Sequence, residues 1–247
     1  MSRVKHNALH QFSAGANNAQ TGGPNLLPFP TPGLQGWKWL YQDFAHGVLW
    51  TANNVEYNLT VLGSTPAPVV AANGVSLPTI ATDNTSCHIQ DTTAQVIIGA
   101  ATKKFFLETS VTLTAATMAS NEMFIGFASD VSGTGHQADA GTSWGANEML
   151  GFGKLDTATE IDFIAREQDS EQVIGIGSTM TTAVRTTLAC YYDGSTYFIY
   201  KDNALVAQAS QEQFPQTAAM GISAFIKSGT GAIQSLLVNY VALGTEL

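Results

Sequence analysis

The stretch that decides the fold is "VRTTLACYYDGSTYFIYKDNALVAQ", residues 184–208. Its β-branched and aromatic residues form three short runs, which are separated by two pairs of turn residues, Asp193-Gly194 and Asp202-Asn203. Such pairs supply the positive φ angles that two-residue hairpin turns require, so three consecutive antiparallel strands are predicted. The two carboxylates are therefore interpreted as turn residues and not as a catalytic pair.

The strands of this stretch carry aromatic side chains on both faces. We expect one face to hold Tyr191, Tyr197 and Ile199 and the other to hold Tyr192, Phe198 and Tyr200. Since one buried face needs only one of these sets, the second is predicted to be available for a neighbouring subunit.

Alternation with a period of two continues elsewhere in the chain. In residues 103–115, "KKFFLETSVTLTA", the apolar positions on one predicted face are Phe105, Leu107, Val111 and Leu113. No segment has a helical period, and turn residues recur roughly every eight to twelve positions. The pattern predicts an all-β, two-sheet antiparallel sandwich over residues 37–247, with residues 63–100 either within it or forming a small subdomain or insertion.

Residues 1–36 are expected to form an extended N-terminal arm. The prolines at positions 24, 28, 30 and 32 exclude both a helix and a central strand. Because apolar residues lie between these prolines, the arm is expected to dock along its own domain or along a neighbour. A disordered leader is the alternative.

Composition favours a subunit of an assembly. Charged residues make up only 12% of the 247 residues, and the surface must therefore consist largely of small neutral side chains, which are buried against another protein at little cost. A net charge of −9 with ten Lys and Arg argues against a direct nucleic-acid partner. No signal peptide or membrane span is recognised, so synthesis in the cytosol is expected. Cys87 and Cys190 are predicted to be buried free thiols, with a disulfide as the alternative.

Motifs for catalysis are incomplete. Ser143 in "GTSWG" matches the nucleophile-elbow pattern, but the strand before it and the helix after it are missing. The five histidines are too dispersed for a metal site, and calcium at loop aspartates has no supporting spacing. No cofactor is predicted, and no catalytic, cofactor-binding or metal-binding residue is assigned.

Residues 184–208, together with "FFLETSVTLT", "NEMFIGFASD" and "AAMGISAFIK", resemble the late strands of concanavalin A-like, laminin-G-like jelly rolls. The resemblance covers about residues 103–243 and implies a jelly-roll topology. In "TEIDFIAREQDSE", Glu160 and Asp162 are similar to the first two acids of the E-x-D-x-E signature of concanavalin A-like β-glucanases. Ile164 stands where the resemblance implies the acid/base glutamate, or Ala165 does if a bulge adds one residue, so no enzymatic activity is expected.

The composition, the proline-rich arm and the absence of a secretion signal resemble jelly-roll decoration or cement proteins of tailed bacteriophages. That resemblance implies a virion protein made in the host cytoplasm that binds the major capsid protein outside the shell as a dimer or trimer. The expected interface residues are aromatic and aliphatic: Leu26, Leu27, Phe29, Leu34, Trp37, Trp39, Tyr41 and Phe44. For the four aromatic residues from Trp37 to Phe44, the domain's own core is the alternative.

Two other functions remain as alternatives. The first is a tail-fibre, head-fibre or adsorption module that binds host glycan, with Trp144, His136, Asn147 and Tyr192 as candidate contacts. The second is a glycan-active enzyme that uses Glu160. No membrane partner is expected.

Overall fold

The structure is a computed structural model. It describes residues 37–44, 57–63, 65–71, 73–91, 96–115, 119, 121–129, 144, 148–156, 158–168, 170–216, 218–229 and 231–246. The predicted arm, with Leu26, Leu27, Phe29 and Leu34, lies outside the described residues, and so its extended form and its docking stay predictions.

The described residues form fifteen strands. In chain order they are β1 (Trp37–Asp43), β2 (Tyr57–Leu62), β3 (Val69–Ala71), β4 (Gly74–Pro78), β5 (Ser86–Asp91), β6 (Phe105–Thr114), β7 (Asn121–Ala128), β8 (Met149–Lys154), β9 (Glu160–Glu167), β10 (Ser170–Thr179), β11 (Arg185–Tyr192), β12 (Thr196–Lys201), β13 (Ala204–Ser210), β14 (Gly221–Ser228) and β15 (Ser235–Glu246). In the described part of the chain, no helix is long and apolar enough to cross a membrane.

The strands form two antiparallel sheets. Sheet A has the order β13-β12-β11-β6-β15-β4-β3, and β1 also pairs with β15. Sheet B has the order β10-β9-β8-β7-β14-β5-β2. The two sheets pack face to face, as the sequence predicted for an all-β sandwich.

The core lies between the sheets and follows from the alternation of apolar residues along each strand. Phe105, Leu107, Val111 and Leu113 of β6 all belong to it, as predicted. The segment 63–100 contributes β3 and β4 to sheet A and β5 to sheet B, so these strands lie within the sandwich.

The predicted turn at Asp202-Asn203 is confirmed, whereas at Asp193-Gly194 only Gly194 has the expected positive φ angle, 100°. Asp193 contributes to its turn through its side chain instead. The Asp193 Oδ1 atom accepts hydrogen bonds from the backbone N–H groups of Ser195 and Thr196, both at 2.9 Å. Asp202 and Asn203 have φ angles of 46° and 75°, as a two-residue hairpin turn requires. Both aspartates therefore shape β-hairpins.

The predicted division of aromatics between the two faces of this hairpin was wrong. Tyr191 pairs with Phe198, and Tyr192 pairs with Tyr197. Residues that pair across a hairpin lie on the same face, so Tyr192, Tyr197 and Ile199 enter the core. Tyr191, Phe198 and Tyr200 face outward instead.

Candidate functional site

The outer face of sheet B, the face that points away from the core, carries the candidate carboxylates on β9. Ile161, Phe163 and Ala165 belong to the core, and so Glu160, Asp162 and Ile164 alternate on the outer face. Pairing between β8 and β9 is in unbroken register from Gly153↔Asp162 to Met149↔Arg166. No bulge therefore separates Asp162 from Ile164, and the third position of the E-x-D-x-E pattern is Ile164. The register shift in this region lies between β9 and β10, where Gly175 pairs with Asp162 and Thr179 pairs with Glu160.

Asp162 lies between two glycines, Gly153 of β8 and Gly175 of β10. Its side chain is half-buried, whereas Glu160 is exposed. Burial raises the pKa of Asp162, and the neighbouring charge of Glu160 raises it further. The two acids thus form a partly open pair at one end of β9.

Trp144 closes the space beside this pair. The residue is buried and belongs to a cluster on the outer face of sheet B: Phe124, Ala128, Trp144, Met149, Ile164 and Phe225. A Cβ atom on Gly153 would lie 2.3 Å from the Trp144 Cη2 atom and 2.9 Å from the Ile164 Cδ1 atom. Only glycine fits beneath the indole, and Ile164 is part of the same apolar packing.

This geometry limits the chemistry that β9 can perform. Glycoside hydrolysis by paired carboxyl groups needs one group to protonate the leaving oxygen and the other to act as nucleophile or base. On the outer face of β9, the residue after Asp162 is an alkyl side chain that has no proton to give. Arg166, the next residue on that face, forms an ion pair with Glu171, with an N–O distance of 2.7 Å.

A buried histidine lies on the same outer face of sheet B. The His88 Nε2 atom is 2.9 Å from the Ser223 Oγ atom, and the imidazole packs edge-on against Phe225. Burial lowers the pKa of His88 to about 4, so the ring is neutral at physiological pH. The sequence pattern missed this group because a single histidine in "SCHIQD" has no distinctive spacing.

An ionic group marks one end of sheet B. The Lys227 ammonium lies 3.5 Å from the Glu122 carboxylate, and both side chains are buried. The Lys154 ammonium donates to the carbonyl oxygens of Asn121, Leu155 and Ala158. Burial lowers the pKa of Lys154 to about 8 and raises that of Glu122 to about 7. Because its donors are satisfied by backbone oxygens, Lys154 has a structural role.

The structure distributes the predicted interface residues unevenly. Phe44 is 1% exposed and belongs to the core, which was the alternative role for the aromatics of this segment. Strand β1 brings Trp37, Trp39 and Tyr41 into register with Glu246, Gly244 and Ala242 of β15, and Trp37 is half-buried. Leu26, Leu27, Phe29 and Leu34 lie outside the described residues.

Other candidate groups are separated or buried. Cys87 and Cys190 are both free and buried, as predicted, and burial raises the pKa of the Cys87 thiol to about 12. Ser143, His136 and Asn147 lie outside the described residues. Tyr192 lies in the core rather than on a sugar-binding surface. Within the described ranges, no three His, Cys, Asp or Glu side chains converge as a metal site would require.

No family model matches the chain, and no curated protein matches it. Several solved structures, in contrast, match the chain. The endo-1,3-beta-glucanase from Streptomyces sioyaensis aligns with a TM-score of 0.60 at 10% identity, covering 89% of this chain and 99% of that one. The carbohydrate recognition domain of Emp47p aligns with a TM-score of 0.56 at 10% identity, covering 83% and 94%. Peanut lectin aligns with a TM-score of 0.53 at 15% identity, covering 84% and 97%.

These similarities establish the fold. An enzyme and two carbohydrate-recognition proteins share it, so the architecture by itself does not decide between catalysis and binding. The chain is a two-sheet antiparallel jelly roll of the concanavalin A-like type.

Proposed function

We propose that this protein is a non-enzymatic structural protein of a tailed-bacteriophage virion, which binds the outside of the capsid shell and reinforces the joints between capsomers. The observation that carries the non-enzymatic part is Ile164, packed with Trp144 at the third position of the β9 pattern. Hydrolysis at this strand would lack its proton donor.

A role in assembly is supported by the surface of the sandwich. Apolar side chains are exposed at both edges of sheet A, with Val69 of β3 58% exposed and Leu205 of β13 51% exposed. Ile233, just before β15, is 72% exposed. Together with a charged fraction of 12%, these residues give a surface that loses little solvation energy against a neighbouring protein. The capsid as partner rests on the sequence resemblance to decoration proteins.

Many identical copies on a symmetric shell would bind multivalently, so each contact can be weak. Residues 22–44 contain all the interface residues expected from the sequence, and we propose that this segment contributes to the contacts between subunits. Since Phe44 fills the protein's own core, the contribution of this segment is assigned to residues before it.

The proposal is tested by co-sedimentation of the full chain with empty capsid shells of the phage that carries its gene. We expect saturable binding and a rise in the temperature at which the shells rupture. The variant Ile233→Asp should bind less tightly, whereas Thr230→Asp, a nearby polar position, serves as the matched control. Absence of sedimentation with the shells would overturn the capsid assignment.

The non-enzymatic part is tested separately by measuring reducing ends released from a panel of β-glucans. We expect no release by the natural chain. The variant Ile164→Glu supplies the missing carboxyl group, and its release of reducing ends is compared with that of the natural chain. Release by the natural chain that Glu160→Gln abolishes would contradict the proposal.

A second candidate function is glycan binding by an adsorption module of the virion. The observation in its favour is the likeness to peanut lectin and to the Emp47p carbohydrate recognition domain. A glycan array probed with the full chain and with Asp162→Asn tests it. Specific binding that the substitution weakens would favour this candidate over the capsid role.

A further inference from the structure

The outer face of sheet A carries a row of aromatic residues that runs across the strands. Phe106 of β6 pairs with Tyr191 of β11, and Tyr191 pairs with Phe198 of β12. On the other side of Phe106 the row continues to Gly244 of β15, which pairs with β1. We call Phe106, Tyr191 and Phe198 the outer aromatic row.

Two members of this row are buried although they face away from the core, and Phe198 is half-buried. Phe106 is 0% exposed and Tyr191 is 6% exposed, and neither belongs to the core cluster between the sheets. Every strand in the described ranges lies within sheet A or sheet B, and none crosses this face. A two-layer sandwich normally leaves such a face to solvent. The burial therefore calls for a covering segment from outside the described ranges.

The N-terminal arm enters the sheet beside this row. Trp37, the first residue of β1, pairs with Glu246, two positions along β15 from Gly244. From β1 to β12 the row crosses four strand spacings, about 19 Å at about 4.8 Å each. An extended polyproline segment rises about 3.1 Å per residue, so six or seven residues are enough to cross it.

The composition of residues 24–36, "PNLLPFPTPGLQG", fits this face. The segment has no charged residue, and its apolar side chains alternate with prolines that hold the backbone extended. Proline-rich segments dock into grooves lined by aromatic side chains because their conformation is already fixed before binding. Two carboxyl groups lie on this part of the face, and each accepts a hydrogen bond: Glu108 from the Tyr240 hydroxyl and Glu246 from the backbone N–H group of Lys104. An uncharged occupant adds no further charge beside them.

We propose that residues 24–36 lie, in the same chain, as an extended segment across the outer aromatic row of sheet A, with Leu34 and Phe29 packed against it. The proposal holds whether the protein binds a capsid or a glycan. The arm is then part of the folded subunit, with Phe29 and Leu34 in contact with its own sheet. Contacts of this segment with other subunits fall to its remaining expected interface residues, such as Leu26 and Leu27.

Hydroxyl-radical footprinting of the full chain tests this seat by measuring side-chain oxidation rates. In a Phe29→Asp, Leu34→Asp double variant, we expect oxidation of Tyr191 and Phe106 to rise several-fold. Tyr192 and Tyr197 lie on the same hairpin but in the core, so their low rates report an intact fold. Thr31→Asp adds charge at a polar position of the same segment and should leave Tyr191 protected.

Unchanged protection of Tyr191 in the double variant would overturn the proposal. It would also be overturned if Leu49→Asp, in the segment that follows β1, exposed the row while the arm variant did not. Light scattering on the natural chain, combined with footprinting, provides a third test. Exposure of Tyr191 upon dissociation of an oligomer would assign the seat to the arm of a second copy and contradict docking within one chain.

Discussion

The two outer faces of the sandwich bury different types of side chain. On sheet B, the outer face buries the ionisable side chains His88 and Glu122, and Trp144 packs over Gly153 on the same face. On sheet A, the outer aromatic row lies beside Glu108, the one buried acidic side chain among the described residues of that sheet. The inner faces of both sheets are similarly apolar, so the contrast lies in how each outer face satisfies its polar groups. We therefore expect groups on the outer face of sheet B to make the free energy of unfolding depend on pH. On the outer face of sheet A, we expect the largest polar contribution to come from the Tyr240 hydroxyl.

The largest expected effect is acid destabilisation through His88. Its pKa is about 4 in the folded protein and about 6.5 in the unfolded chain, so the unfolded state binds more protons between these values. The stabilising contribution is complete above about pH 6.5 and is lost as the pH falls to about 4. The loss reaches about 3 kcal/mol. Urea unfolding at a series of pH values measures it.

Glu122 acts in the opposite direction over part of this range. Its pKa is raised to about 7, so its contribution is complete below the unfolded value and is lost as the pH rises through 7. The variant His88→Gln retains a hydrogen-bonding group for Ser223 but does not titrate. The difference in unfolding free energy between the natural chain and this variant therefore reports the contribution of the histidine. A difference between the two proteins that stays constant from pH 6.5 to 4 would contradict the prediction.

The next effect is steric and arises where Trp144 packs over Gly153 on sheet B. Gly153→Ala should reduce the free energy of unfolding by about 2 kcal/mol, because its Cβ atom would lie 2.3 Å from the Trp144 Cη2 atom. Gly175→Ala is the matched control on the other side of Asp162, since its Cβ would lie 3.7 Å from the nearest atom, the Asp162 Oδ1 atom. Urea denaturation compares the two variants. Equal destabilisation by both would show that Trp144 does not limit the space.

On sheet A, Tyr240→Phe removes the hydroxyl that donates to the buried Glu108 carboxylate. We expect a loss of about 1.5 kcal/mol, because a buried carboxyl oxygen loses this donor. Tyr200→Phe on the same face is the control and should change thermal stability little. If the two variants melt at the same temperature, the Tyr240 hydroxyl contributes nothing measurable.

The smallest effect is expected at the hairpin turn. Asp193→Ala removes the acceptor of two backbone N–H groups and should cost about 1 kcal/mol. Asp193→Asn keeps an acceptor oxygen and should retain most of the stability. Thermal unfolding of both variants checks this order, and a reversed order would argue for a role of the charge itself.

The hairpins were predictable because their turn residues act locally. Asp202 and Asn203 have the predicted positive φ angles, and Asp193 binds the backbone N–H groups that follow it. Strand β9 alternates between the core and the outer face as its sequence indicates. The division of Tyr191 and Tyr192 between faces was wrong because it ignored how the turn pairs the two strands. Burial of His88 depends on partners more than a hundred residues away, which no local pattern encodes.

Strand β15 has a consequence for how the protein is made. It pairs with β6 along one side and with β4 and β1 along the other, so half of sheet A is organised around it. Trp37 and Glu246 are partners although about 200 positions separate them. Because synthesis proceeds from the N-terminus, β1 has no strand to join until β15 leaves the ribosome. Closure of sheet A must therefore follow translation of β15, and such long-range pairing is expected to make folding slow.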